Sequence, residues 1–279
     1  MTSTLRHRTP PFALAIAGCV AFPGFGAADE VAWSNPSGGL FGEGANWMGN
    51  APPNSMQTAL FDLPASLTVL FGNNTQIDGL TARRGSTTLN LMGSLLDVGT
   101  PSAARVIRVG ESAGELATLT VQGGSVHMHP FLSQVLIGNE AGSEGRLELT
   151  GSSTTFPMGG VTRVGGAGGV GALVVSDGAT MSDTLPGAGF AGSLGMWPGS
   201  SILITGANSR LNMRTISSSG GQVTVSSGGR ANGESWVMSG NTQISVTGAG
   251  SRLTCENGLS TNGPINVSDG ATLYSIGPG

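Results

Sequence analysis

A short apolar-x-apolar tripeptide followed by a glycine-containing turn recurs along the chain, beginning at Leu89, Leu119, Leu147, Leu173, Ile202, Val223, Ile244 and Ile265. The intervals are 30, 28, 26, 29, 21, 21 and 21 residues. A globular core has no reason to keep such a period, whereas the coil of a solenoid does. A second strand-like segment precedes the tripeptide in each unit: Val106 to Gly110, Val135 to Gly138, Val161 to Gly165. Val, Ile, Leu and Thr alternating in runs of three to five suit pleated strands with one buried face. Gly, Asn and Asp-Gly supply the left-handed corners between them. No helical apolar period of useful length interrupts the cycle. The pattern predicts an all-β solenoid of about eight or more coils, with inward Leu, Ile and Val stacked into one core. At ~4.8 Å per rung, eight anchors span on the order of 40 Å before the ends are counted.

Two kinds of coil alternate. Thr205-Gly206-Ala207-Asn208-Ser209-Arg210-Leu211 returns as Thr247-Gly248-Ala249-Gly250-Ser251-Arg252-Leu253, 42 residues on, twice 21. Ser176-Asp177-Gly178-Ala179-Thr180 returns intact as Ser268-Asp269-Gly270-Ala271-Thr272. Residues 29–100 read differently, with Trp33, Trp47 and the Pro52-Pro53 pair. They are expected to form an N-terminal β-rich cap that runs gradually into the first coils, leaving 101–279 as the repeat region.

Composition changes this picture little. The 48 Gly and 14 Pro raise low-complexity disorder as an alternative, but a random Gly/Ser tract would not hold an aliphatic pair in register through eight turns. Only 10% of residues are charged, against ~25% in ordinary globular domains, which argues against a coiled coil. A net charge of −4, with 12 basic residues that are all Arg, removes the electrostatic case for nucleic acid. Residues 1–28 have the form of an export signal: Arg6 and Arg8, an apolar Pro11 to Val20, then Gly26-Ala27-Ala28 before the expected cut. Ile16-Ala17-Gly18-Cys19 offers a competing lipobox-like cut that would lipidate Cys19. Either cut stops Cys19 pairing with Cys255, so no disulfide is expected to hold the fold. No later stretch reaches the ~18 apolar residues of a spanning helix, so outer-membrane association would come from lipid or from sequence beyond Gly279.

Val246-Thr247-Gly248-Ala249-Gly250-Ser251-Arg252-Leu253 is the stretch most similar to the repeat associated with PEP-CTERM and type V secretion (autotransporter) proteins. The resemblance covers about residues 105–275, and Trp33-Ser34-Asn35 with Asn46-Trp47 looks like the segment that often opens such proteins. It implies a parallel β-helix carried at or beyond the outer membrane of a Gram-negative bacterium, with the periplasm as the alternative location. The family's C-terminal β-barrel and hydrophobic PEP-CTERM tail are not visible. A chain stopping at Ile276-Gly277-Pro278-Gly279 would leave an uncapped coil edge, and a fragment or truncated reading frame is expected.

Motifs that resemble chemistry are weighed against coil turns. Gly110-Glu111-Ser112-Ala113-Gly114 fits the G-x-S-x-G elbow of serine hydrolases, but a strand pattern and not a helix follows it. Gly166 to Gly171 fits G-x-G-x-x-G with the same defect. The absence of Lys excludes a Walker A loop, and calcium nonapeptides are missing. His127 and His129 would share the outer face of one strand, with Glu140 or Glu144 of the next coil as a conceivable third ligand. Glu111, Glu115, Glu140, Glu144 and Glu148 form the acidic cluster, able to line one edge of two coils beside Arg108, Arg146 and Arg163. A solvated mixed-charge face is the expectation there, and Asp177 and Asp269 lie several coils apart. Cys255 reads as a buried thiol with no partnering His nearby.

No catalytic, cofactor-binding or metal residue is assigned, and no cofactor is expected. The expected role is structural or adhesive: a non-enzymatic rod whose partners are glycans, surfaces or other copies of itself. The longer intervals between Leu89 and Ile202 would hold contact loops, so deleting Gly124 to Gln134 should reduce adhesion and leave the rod folded. The alternative is a polysaccharide-binding or polysaccharide-cleaving β-helix using the Glu111 to Glu148 group.

Overall fold

Within Leu116–Gln122 alternate side chains, Ala117, Leu119 and Val121, are buried, while Thr118, Thr120 and Gln122 face outward. Glu144–Thr150 and Val170–Ser176 repeat this pattern. The three strands lie parallel, Leu119 beside Leu147 and Leu147 beside Leu173. A parallel partner met once per turn of chain makes a solenoid, and the computed structural model shows a parallel β-helix. It describes residues 29–99, 105–128, 133–183 and 192–277. Residues 1–28 with Cys19, and His129, lie outside the described residues.

Three stacks of parallel strands run the length of the rod, and ten rungs are described. The first stack starts at Glu30–Ala32, passes through Arg105–Val109, Ser133–Ile137 and Val161–Val164, and ends at Leu259–Thr261. The second starts at Gly39–Leu40, passes through the strands described above, and ends at Ile265–Ser268. The third runs from Thr75–Ile77 in the second rung to Thr272–Ser275 in the tenth. At ~4.8 Å per rung the rod is about 45 Å long. Its core is one column of aliphatic side chains after another. Leu147, Leu173, Val223 and Leu253, for example, are completely buried.

Seven of the eight sequence anchors share one inward column, from Leu119 to Ile265. Leu89 does not. Its neighbour is Val121, and buried Thr87 stands opposite Leu119. The threonine hydroxyl hides this position from an apolar pattern, which shifts the first interval by two residues.

Unequal repeat lengths come from the corners, since strands stay in register. Between first and second stacks the corner spans residues 110–115 in the fourth rung and only 219–221 in the eighth. Between third and first stacks the seventh and eighth rungs have no loop at all, because Arg210–Ser218 and Arg230–Met238 continue through the corner. The deletion of residues 124–134 would therefore not trim a loop. It would remove strand Ser125–Met128, whose Val126 and Met128 are core residues.

The alternation of coil types also has a physical cause, in the corner between second and third stacks. In the fifth, seventh and ninth rungs a buried hydroxyl, Thr154, Ser209 or Ser251, donates back to the carbonyl of Thr150, Thr205 or Thr247. The same oxygen accepts the amide of Gly123, Gly178 or Gly228 from the rung before, at 2.8, 2.9 and 3.0 Å. One wide corner thus satisfies one tight corner. Ser209→Ala leaves the Gly178 amide without its acceptor and should cost about 1–3 kcal/mol, measured by denaturant unfolding. A change indistinguishable from zero would remove this hydroxyl from the account.

The first rungs are closed by aromatics. Trp33 and Trp47 pack edge to face with centroids 4.9 Å apart. Phe41 lies 4.9 Å from Trp47 and 4.6 Å from Phe71. Trp47 donates to the Phe41 carbonyl at 2.7 Å, and the Asn35 amide bonds Asn46 at 2.8 Å. In the last rung Ile265 and Val267 continue the inward columns but are 40% and 43% exposed, because no described rung covers them.

Candidate functional site

The acidic residues singled out by the sequence separate into two groups. Glu111 and Glu115 occupy the first corner of the fourth rung and Glu140 the same corner one rung on. Glu148 instead faces outward from the second stack, where it is paired with Arg146 and accepts from Thr120 at 3.2 Å. Glu144 is exposed at the start of that strand. Arg108 and Arg163 fall in the same column of the first stack two rungs apart, as the spacing predicts, with Leu136 between them.

At the corner, Arg108 holds Glu111 at 2.7 Å. Arg83 reaches Glu115 through Nε at 3.4 Å, and its Nη2 lies 2.8 and 2.9 Å from the two carboxylate oxygens of Glu30. Arg83 and Glu30 were not legible as members, because they arrive from the third and first rungs and have no repeat equivalent. The available signal was the Arg83-Arg84 pair, standing where later rungs place their corner. These groups border a cavity of about 230 Å³ together with Thr81, a buried residue whose Oγ1 has no hydrogen-bond partner.

Burial pushes the Glu111 carboxyl above its ordinary range, against the attraction of Arg108, with Glu140 and Glu115 adding repulsion. A carboxyl whose folded pKa exceeds its unfolded one carries its full destabilisation above the folded pKa, and the penalty falls away as pH drops from the folded to the unfolded value. Glu111→Gln is therefore expected to melt higher than the parent at pH 8, with the difference shrinking toward pH 4. An unchanged difference across that range would contradict the assignment. Chemically, the corner is an ion-paired network with one more carboxylate than guanidinium, which can hydrogen-bond a hydroxyl-rich molecule and can hold a proton at Glu111.

Ser112 sits in a corner, its amide bonded to Glu115 at 3.0 Å, and strand Leu116–Gln122 follows. Gly166 to Gly171 likewise leads from a corner into strand Val170–Ser176. Asp177 and Asp269 are left-handed corner residues with φ of 52° and 55°. His127 faces outward in the third stack, 3.6 Å from Asp97 on the preceding rung. Glu140 and Glu144 belong to the first corner and the second stack, so they do not face it as a third ligand. No group of three or more His, Cys, Asp or Glu is placed to hold a metal among the described residues.

Cys255 is completely buried in the third stack. Burial pushes its thiol up to about 12. The thiolate fraction near neutral pH is then on the order of a thousandfold below that of an ordinary thiol. Native protein at pH 8 should resist iodoacetamide at Cys255 and react promptly once denatured, as followed by peptide mass. Equal rates in the two states would contradict its place in the core.

A further feature is a column of arginines. Arg210, Arg230 and Arg252 are exposed and in direct register on three consecutive rungs of the third stack. Its signal was present in the repeated Ser-Arg-Leu of residues 209–211 and 251–253, read only as periodicity. No family model, curated protein or solved structure matches the chain.

Proposed function

We propose that the chain is an exported, non-enzymatic rod with a structural or adhesive role, part of a bacterial cell-surface or secreted, autotransporter passenger-like protein. The observation that carries this reading is the uninterrupted ladder of ten rungs around one aliphatic core. Such a stack gains stability from every added coil interface and leaves its outward columns free to vary. The export-like residues 1–28 and the resemblance of the repeat support the same reading. Weak contacts repeated along a rod add up through multivalency. The test is protease shaving of intact producing cells together with an adhesion assay. Loss of the chain from intact cells, and of adhesion in a strain lacking it, supports the proposal. A chain protected until the cells are lysed contradicts it.

The second reading is a polysaccharide-cleaving β-helix. Glu111 favours it, being a carboxyl held above its ordinary range beside Glu115, Glu140 and Arg108 at the edge of a cavity. That reading requires glycan cleavage by the purified chain that is lost in Glu111→Gln.

A further inference from the structure

The arginine column is not explained by the stacking of the rod. Parallel neighbours stand ~4.8 Å apart, and like charges directly opposite one another weaken a sheet. Among the described residues, none of the three guanidinium groups forms a salt bridge. The group of Arg252 lies 5.6 Å from the centre of the Tyr274 ring. The rungs on either side fill the same column with Thr180 and Thr272, which shows the uncharged side chain the fold accepts there.

Beside it runs a second outward column, two residues further along each strand and so about 6.6 Å away. It holds Asn212, Asn232, Thr254 and Tyr274 in register. Asn232 donates to Asn212 at 2.7 Å, whereas Thr254 Oγ1 is itself covered and has no hydrogen-bond partner. Beyond this column lie the carboxylates of Asp183, Glu234 and Glu256, where Asp183 accepts from the Arg214 amide at 2.6 Å and Glu234 is 3.5 Å from the Arg214 guanidinium.

We propose that this face binds an acidic polysaccharide, laid along the rod axis with its uronate carboxylates on the arginine column and its hydroxyls on Asn212 and Asn232. The guanidinium fork matches a carboxylate in two-pronged geometry. Amides and hydroxyls both donate and accept, as sugar hydroxyls do. Polygalacturonate, an α-1,4-linked uronate polymer, carries one carboxylate on every ring, and its ring-to-ring step is close to the ~4.8 Å between rungs. A nucleic acid fits worse: three arginines on a chain of net charge −4 neutralise few phosphates, and Tyr274 alone offers a ring on which bases could stack.

The inference deepens the adhesive reading by naming a partner, and it uses residues apart from the Glu111 corner. It is tested on the full chain by titration with polygalacturonate, with dextran as neutral polymer and a single-stranded oligodeoxynucleotide as the other polyanion. The expected result is binding of polygalacturonate that weakens with added salt. The triple variant Arg210→Gln, Arg230→Gln, Arg252→Gln should lose at least tenfold in affinity and melt no lower than the parent. Arg84→Gln, whose guanidinium holds Asp62 at 2.6 Å, should bind as the parent does. Undiminished affinity in the triple variant, or oligonucleotide or dextran bound as tightly as polygalacturonate, overturns the proposal. A chain found on the cell surface whose triple variant still binds polygalacturonate sinks this inference and leaves the display role standing. A chain that binds polygalacturonate through the column but never reaches the surface does the reverse.

Discussion

Gly138→Ala is expected to lower stability by about 2–5 kcal/mol, against about 1–2 kcal/mol for Gly114→Ala. Both glycines are left-handed, with φ of 58° and 80°. A side chain in that region costs roughly 1–2 kcal/mol wherever it occurs. What separates them is the next rung. A Cβ on Gly114 meets nothing within 4 Å, whereas one on Gly138 would overlap the carbonyl oxygen of Val170. Relieving that overlap means displacing a ladder strand, an overpacking cost of about 1–3 kcal/mol. Chemical denaturation of the two variants measures the difference directly. Equal costs would mean that the fifth and sixth rungs do not approach each other as described.

Trp47→Ala should cost about 3–5 kcal/mol, the range for removing a buried large aromatic. Trp47 is 1% exposed and touches Trp33, Phe41 and Phe61, so its loss opens the whole aromatic closure. Trp47→Phe keeps much of the apolar contact but leaves the Phe41 carbonyl without its donor, for about 1–3 kcal/mol. In a solenoid each rung is held by its neighbours, so damage at one end is expected to spread from that end. Hydrogen exchange in Trp47→Ala should lose protection in Thr58–Leu70 before Gln222–Ser226. Simultaneous loss in both would contradict a closing role for the aromatic rungs.

Much of the architecture was legible because a solenoid writes its period into the chain. The anchors from Leu119 to Ile265 all open the same apolar-x-apolar tripeptide, and each one proved to be a rung neighbour of the next. Thr87 broke the pattern because packing asks only that a side chain fill the column, and a threonine does so without looking apolar. The alternation of coils was visible as a 42-residue repeat. Its cause was not, since the Ser209 hydroxyl serves an amide in the rung before it, 31 residues away. The polar groups were harder for the same reason. Arg83 meets Glu30 across 53 residues, a distance that no local motif encodes. Arg210, Arg230 and Arg252 stand at unequal intervals, because the corners between them differ in length, and only the rung register makes them a column.

The most direct test of the β-helix itself is cysteine pairing across rungs, read by free-thiol titration after mild oxidation in a Cys19→Ser, Cys255→Ala background. Thr205 and Ser226 are outward neighbours in the second stack, with hydroxyls 3.0 Å apart, and Thr247 is one rung further. Adjacent rungs at ~4.8 Å meet the Cα separation of a disulfide, and rungs two apart, near 9.6 Å, do not. Thr205→Cys with Ser226→Cys should therefore close a disulfide, while Thr205→Cys with Thr247→Cys keeps both thiols free. Closure of the second pair, or none in the first, would contradict the stacked register on which the account rests.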